Sequence, residues 1–231
     1  MLQIIWLGHA TFEFRFDSGE VLVTDPWIDS NPAYPRNYKI KRVDAIALSH
    51  GHFDHINDVI PLANSFRPKV VAIFEVTSWL ESKGVKNTIG MNKGGTVDLE
   101  FVKLTMTHAL HSNAIKDGDQ LIYGGEAASY VLTLKDGRRA YFAGDTMVFG
   151  DMSLISDLYH PELAFLPIGD HFTMGPDQAA LAARLLKVKK VIPMHYGTFP
   201  ALTGTPEALS SQLKNDSVQV WTLPKGEPVE W

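Results

Sequence analysis

Ser49-His50-Gly51-His52-Phe53-Asp54-His55 follows directly on Val43-Asp44-Ala45-Ile46-Ala47-Leu48. The run Val43–Leu48 is almost continuously apolar, as a strand covered on both faces would be. Where it ends, three imidazoles and one carboxylate crowd into six residues. Imidazole nitrogen and carboxylate oxygen are the ligand types of zinc, iron, manganese or nickel. Ligands so close in sequence cannot all address one ion without strain. Giving His50 and His52 to one ion and Asp54 and His55 to another is sterically easier, with Gly51 expected to let the backbone turn between ligands. A polar loop with chance histidines is the competing reading.

Further ligands must come from distant strand ends, and three segments offer them. Thr107-His108-Ala109-Leu110-His111-Ser112 follows an apolar stretch, Gly144-Asp145-Thr146 follows Tyr141-Phe142-Ala143, and Met194-His195-Tyr196-Gly197 follows Val191-Ile192-Pro193. Loops at strand ends are where sites gather. Gly169-Asp170-His171 closes another apolar run; His171 can bind a substrate anion or protonate a leaving group, because histidine titrates near neutrality, or it simply packs the loop. Asp25 is either the hydrogen-bond partner of a ligand histidine or an aspartate opening a turn before Pro26. His9 lines the site or serves only the turn after Gly8. Trp27–Tyr38, rich in proline and aromatics, reads as a packed loop, or as a lid with Arg36 facing an anion.

Alternation and turn residues predict strands at Leu2–Leu7, Phe12–Phe16 and Val21–Thr24. Further strands are expected at 70–73, 97–105, 129–134, 139–143, 163–166, 190–193 and 218–222. The clearest helix is Pro176–Lys187, with proline in its first turn and Leu181, Leu185 and Val188 as its apolar stripe. Shorter helices are expected after Asn57 and over 78–83, 154–159 and 206–213. No linker, low-complexity segment or short repeat divides the chain. These features predict one α/β domain over residues 1–231, with two sheets and helices outside them.

Composition excludes several classes. The 231 residues are 45% hydrophobic and 20% charged, too apolar for a disordered chain. No apolar run approaches the ~18 residues of a membrane helix. The absence of cysteine removes disulfides, thiolate ligands and cysteine nucleophiles together, and is compatible with a reducing compartment. The N-terminal residues lack a signal-peptide pattern, so a cytoplasmic location is expected. A formal charge of −5 argues against a nucleic-acid partner. The basic runs Lys39–Arg42 and Lys187–Lys190 read as solvated faces. A small-molecule substrate is the expected partner, and a homo-oligomer is compatible with the chain.

His50-x-His52-x-Asp54-His55, together with a later histidine, Gly144-Asp145-Thr146 and His195, resembles the metallo-β-lactamase fold superfamily. The similarity runs from Trp6-Leu7-Gly8-His9-Ala10 and Thr24-Asp25-Pro26 to Pro193-Met194-His195-Tyr196. Within the superfamily the chain is similar to the small single-domain metal-dependent hydrolases, which are related to L-ascorbate-6-phosphate lactonase and N-acyl phosphatidylethanolamine phospholipase D. The resemblance implies a four-layer αββα sandwich and a site for two divalent metal ions, zinc first, with manganese or iron also fitting. It assigns His50, His52 and His111 to one ion, Asp54, His55 and His195 to the other, and Asp145 to both. His111 is preferred to His108 because the related pattern places the ligand just before a small residue, here Ser112. Asp54 would also carry a proton during turnover. The implied reaction is hydrolysis of a small lactone, ester, amide or phosphoester by a metal-activated hydroxide. The alternatives are iron-dependent redox chemistry on the same fold, or metal binding without catalysis.

Overall fold

The computed structural model describes residues 1–231. The chain forms two compact units, one from Met1–Lys93, Ser112–Ala128 and Leu223–Trp231, the other from Gly94–His111 and Ser129–Thr222.

The first unit is built on a seven-stranded sheet. Its strands are β1 (Leu2–Trp6), β2 (Phe12–Phe16), β3 (Val21–Thr24), β4 (Ala45–Ala47), β5 (Lys69–Ile73), β6 (Thr88–Met91) and β16 (Pro228–Glu230), in the spatial order β16-β1-β2-β3-β4-β5-β6. From β3 to β6 every pairing is parallel, so β3 and β4 deliver the residues after them to the same edge. The helices are α1 (Phe53–Ile56), α2 (Val59–Phe66) and α3 (Phe74–Ser82), the last packed on β5 and β6. A hairpin of β9 (Ala114–Asp117) and β10 (Gln120–Tyr123) stands apart from the large sheet.

The second unit carries another seven-stranded sheet, of β7 (Thr96–Asp98), β8 (Val102–His108), β11 (Ala128–Leu134), β12 (Arg139–Phe142), β13 (Leu163–Pro167), β14 (Lys190–Met194) and β15 (Gln219–Val220). Strands β12 to β15 are parallel, which places the loops after β12, β13 and β14 on one edge. Helices α4 (Met152–Tyr159), α5 (Pro176–Leu186) and α6 (Pro206–Gln212) complete it, α5 lying between its two helical neighbours and also touching β13. Tyr130, Tyr141, Phe142 and Phe165 are fully buried here, as Phe12, Phe14 and Trp27 are in the first unit. Each such side chain contributes about 1.5–3 kcal/mol relative to exposure.

Several expectations need correction. Helix α5 starts at Pro176 as predicted, but it buries Ala179, Ala180, Ala182, Ala183 and Leu186, while Leu181 is 46% exposed. Alanines let the helix approach its neighbours closely, so four alanines and Leu186, rather than Leu181, mark the packed face. The strand expected over 97–105 is two strands, because Glu100 turns the chain with φ 73° and Leu99 N–H donates to Val102 O. Helix α3 begins at Phe74, directly on the end of β5. The helix expected after Asn57 is preceded by α1, inside the histidine-rich stretch itself. Glu13, between the phenylalanines of β2, is also buried. Arg15 Nε donates to it at 2.6 Å, and the same guanidinium donates to Tyr38 Oη at 2.8 Å, so the 27–38 loop covers that face. No helix is long and apolar enough to cross a membrane.

Candidate metal centre

In the first unit the site starts from Asp25, at the end of β3, in a left-handed backbone conformation (φ 41°) and without solvent exposure. Its Oδ1 accepts from the Ser49 amide at 2.7 Å. Its Oδ2 accepts from Ser49 Oγ at 2.5 Å and from His55 Nδ1 at 2.8 Å. Ser49 Oγ has one proton and gives it to Asp25, so it accepts from His50 Nδ1, 2.9 Å away. One carboxylate thereby fixes the tautomer of two histidines, directly and through a hydroxyl, and makes Nε2 the lone-pair nitrogen of each. This is the arrangement metal-binding imidazoles use. Asp25, His50 and His55 together bring ligand-type atoms within 4.8 Å of one another.

At Gly51, expected to let the backbone turn between ligands, there is no room for a side chain. A Cβ there would lie 2.5 Å from Ile115 Cγ1, and its amide donates to Asn113 Oδ1 at 2.8 Å. Asn113 also donates to Gly124 O at 2.6 Å, so the hairpin clamps the segment between the two histidines. His9 Nε2 lies 3.0 Å from Asp54 Oδ2, with the His9 ring fully buried.

In the second unit Asp145 follows β12, His195 follows β14 and His111 follows β8. Asp145 Oδ2 lies 3.1 Å from His195 Nε2 and 3.7 Å from His111 Nε2, standing between the two imidazoles. Thr146 ties two of these loops together, accepting from the Leu110 amide at 2.9 Å and donating to Met147 O at 2.7 Å. His108 turns its ring edge-to-face on Phe149 (5.2 Å, 78°). His195 has φ 57°, and the backbone of Gly169, on the loop after β13, packs so tightly on its carbonyl oxygen that no Cβ would fit.

Two ligand atoms bound to one zinc at about 2.0–2.1 Å lie about 3–4 Å apart. His50 Nε2 and His52 Nδ1 are separated by 2.9 Å, and Asp54 Oδ2 and His55 Nε2 by 3.9 Å. With the two Asp145 contacts, four pairs of ligand-type atoms within single units have spacings of this order. The donor set is nitrogen and oxygen only, which suits zinc, manganese or iron.

His171 sits on the loop after β13, exposed, with φ 55°, its ring against Phe172 (4.4 Å) and its amide on Asp170 Oδ1. In the 27–38 loop, Asn31 Nδ2 donates to Trp27 O, and Asp58 Oδ2 accepts from the Ile28 and Asp29 amides, so the loop is packed. Both basic runs are partly engaged: Arg42 pairs with Asp44, Lys187 with Asp157 and Lys189 with Glu162. Ser49 and Asn113 were not anticipated from the sequence. Ser49 directly precedes His50 and was readable; Asn113, 62 residues from Gly51, carried no local signal.

Strand-end imidazoles and carboxylates, paired at ligand spacing, define a metalloprotein class, and the comparisons agree. A family model described as a beta-lactamase superfamily domain matches residues 21–196. A UPF0173 metal-dependent hydrolase from Solibacter usitatus is 62% identical over 230 residues, covering 100% of both chains. One from Koribacter versatilis is 53% identical over 209 residues, 90% of each. Among solved structures, Igni18, a novel metallo hydrolase from Ignicoccus hospitalis, matches with a TM-score of 0.86 and 32% identity over 99% of this chain and 97% of that one. The chain belongs to the beta-lactamase superfamily and, within it, to the UPF0173 metal-dependent hydrolases, and its fold is the metallo-β-lactamase fold.

Proposed function

We propose that residues 1–231 act as one functional domain, a dinuclear metal-dependent hydrolase of a small lactone, ester, amide or phosphoester. His50, His52 and His111 hold one divalent ion, Asp54, His55 and His195 the other, and Asp145 both. Zinc is the first choice for these donors, with manganese or iron as alternatives. The observation that carries this reading is the pairing inside each unit. His50 with His52, Asp54 with His55, and Asp145 with both His111 and His195 are all pairs that this scheme puts on a common ion. The names of the relatives support hydrolysis as the reaction class.

When bound, such an ion pair polarises the substrate oxygen and acidifies a water towards neutrality. The chain supplies the rest. Asp25 and Ser49 hold His50 and His55 in one orientation, each through its Nδ1. Asp54 and Asp145 offset the charge of the ions, and Asp54 accepts a proton at its carboxylate and returns it. His171, exposed on the loop after β13, donates a ring N–H proton to the leaving group. The test is reconstitution with Zn²⁺, Mn²⁺ or Fe²⁺, followed by assays on lactones, esters, amides and phosphodiesters. Hydrolysis that disappears in Asp145→Ala supports the reading; activity retained in Asp145→Ala contradicts it.

A further inference from the structure

We propose that His9 is a positioning residue for the second metal ion, acting through Asp54; this rests on the dinuclear reading above. Asp54 lies on α1, a helix of four residues with no side-chain cap. A ligand carboxylate is held in orientation by a hydrogen-bond partner outside the ion's own shell. His9 is placed to be that partner, with Nε2 at 3.0 Å from Asp54 Oδ2 and no solvent exposure of its ring.

The rest of His9 is held in ways that leave the ring little freedom. Its backbone takes φ 54°, a conformation that costs energy for most side chains and persists where the surroundings impose it. Its carbonyl accepts from Trp6 Nε1 at 3.0 Å. Its ring meets Trp27 edge-on (5.1 Å, 81°) and His55 at 5.7 Å. Trp27 in turn meets Phe53, the first residue of α1, at 5.7 Å and 82°. The turn after β1 and the ligand helix are thus locked together by aromatic contacts, with the His9–Asp54 hydrogen bond as their polar link. A donor on Oδ2 occupies one of the oxygen's two lone-pair positions, leaves the other for a cation and removes the carboxylate's rotational freedom. Partners of this kind commonly change metal affinity 10- to 100-fold when removed.

The test is a Co²⁺ titration of the full chain, followed by absorbance, on wild type, His9→Ala, His9→Gln, Asp54→Asn and the His9→Ala/Asp54→Asn double variant. Wild type should take up two ions. His9→Ala should weaken the second ion by about 10- to 100-fold and leave the first unchanged. Glutamine can extend an amide N–H to the place of Nε2, so His9→Gln should recover most of the loss. In the Asp54→Asn background, His9→Ala should cause little further loss, because the two residues act as one unit. Wild-type affinity in His9→Ala, or an undiminished loss in the Asp54→Asn background, overturns the proposal. So does a His9→Gln variant no better than His9→Ala. If His9→Ala does not fold, His9→Gln decides alone: near-wild-type affinity for both ions supports the role, and loss of the second ion overturns it. Wild type failing to bind two ions would overturn the dinuclear reading itself, whereas two ions bound equally well with and without His9 would overturn only this inference.

Discussion

His55 Nδ1 and Asp25 Oδ2 stand 2.8 Å apart, and neither side chain has any solvent exposure. The same carboxylate takes both the amide and the hydroxyl of Ser49, so it accepts three hydrogen bonds in a dry environment. Its position follows from the parallel pairing of β3 and β4, which brings the ends of both strands to one edge. Removing it orphans three donors and releases two histidines at once. Asp25→Ala should cost about 1–3 kcal/mol for each group left unsatisfied and lower metal affinity about 10- to 100-fold. Thermal melts and metal titrations of the variant check both.

Gly169→Ala tests whether the loop after β13 positions His195. A methyl group there would overlap the carbonyl oxygen of His195, which is backbone and has no side-chain freedom to yield. Overpacking of this kind costs about 1–3 kcal/mol or more. The expected result is a lower melting temperature together with reduced metal content. Unchanged metal content and stability would mean that the two loops adjust independently.

His171 should separate catalysis from folding. It is exposed, so His171→Ala should change stability by no more than about 0.5 kcal/mol. Metal content should stay at the wild-type level. If His171 protonates the leaving group, kcat should fall by about 10²- to 10⁴-fold, and less for substrates whose leaving groups are already acidic. Steady-state kinetics on substrates of graded leaving-group pKa is the measurement.

Tyr141 sets an alkaline limit on stability. Burial raises its phenol above the ordinary value, while its hydroxyl donates to Ser129 Oγ at 3.0 Å. The unfolded chain ionises this group near pH ~10, whereas the folded chain retains the proton. Its contribution is therefore fully present below about pH 10 and is lost as pH rises towards the folded value. Denaturant melts of wild type and Tyr141→Phe across this range should converge as the pH increases.

The fold was legible where chemistry was local. The phenylalanine alternation of β2, the apolar run before Ser49 and the proline opening α5 each specify their element within a few residues. The strand ends that carry His50, Asp145 and His195 were legible for the same reason, each polar group following on an apolar run. What escaped depends on distant neighbours. Leu181 faces outward because alanines form the packed side of α5. Glu13 is buried because the 27–38 loop covers its face of β2, through Arg15 and Tyr38. Gly51 is a glycine because Ile115 and Asn113 approach it from a hairpin more than sixty residues away. That hairpin did carry a signal in Gly118-Asp119, a two-residue turn with glycine first, at φ 59°.

The pairing of Asp145 with both His111 and His195 is the centre of the account, and metal stoichiometry tests it most directly. Elemental analysis of the purified chain, repeated after reconstitution with Zn²⁺, Mn²⁺ and Fe²⁺, should give about two ions per chain for the best-fitting metal. The same measurement on Asp145→Ala should give a clear loss in a chain that remains folded. A wild-type chain that takes up one ion or none under all three conditions, or an Asp145→Ala chain that still holds two, would contradict it.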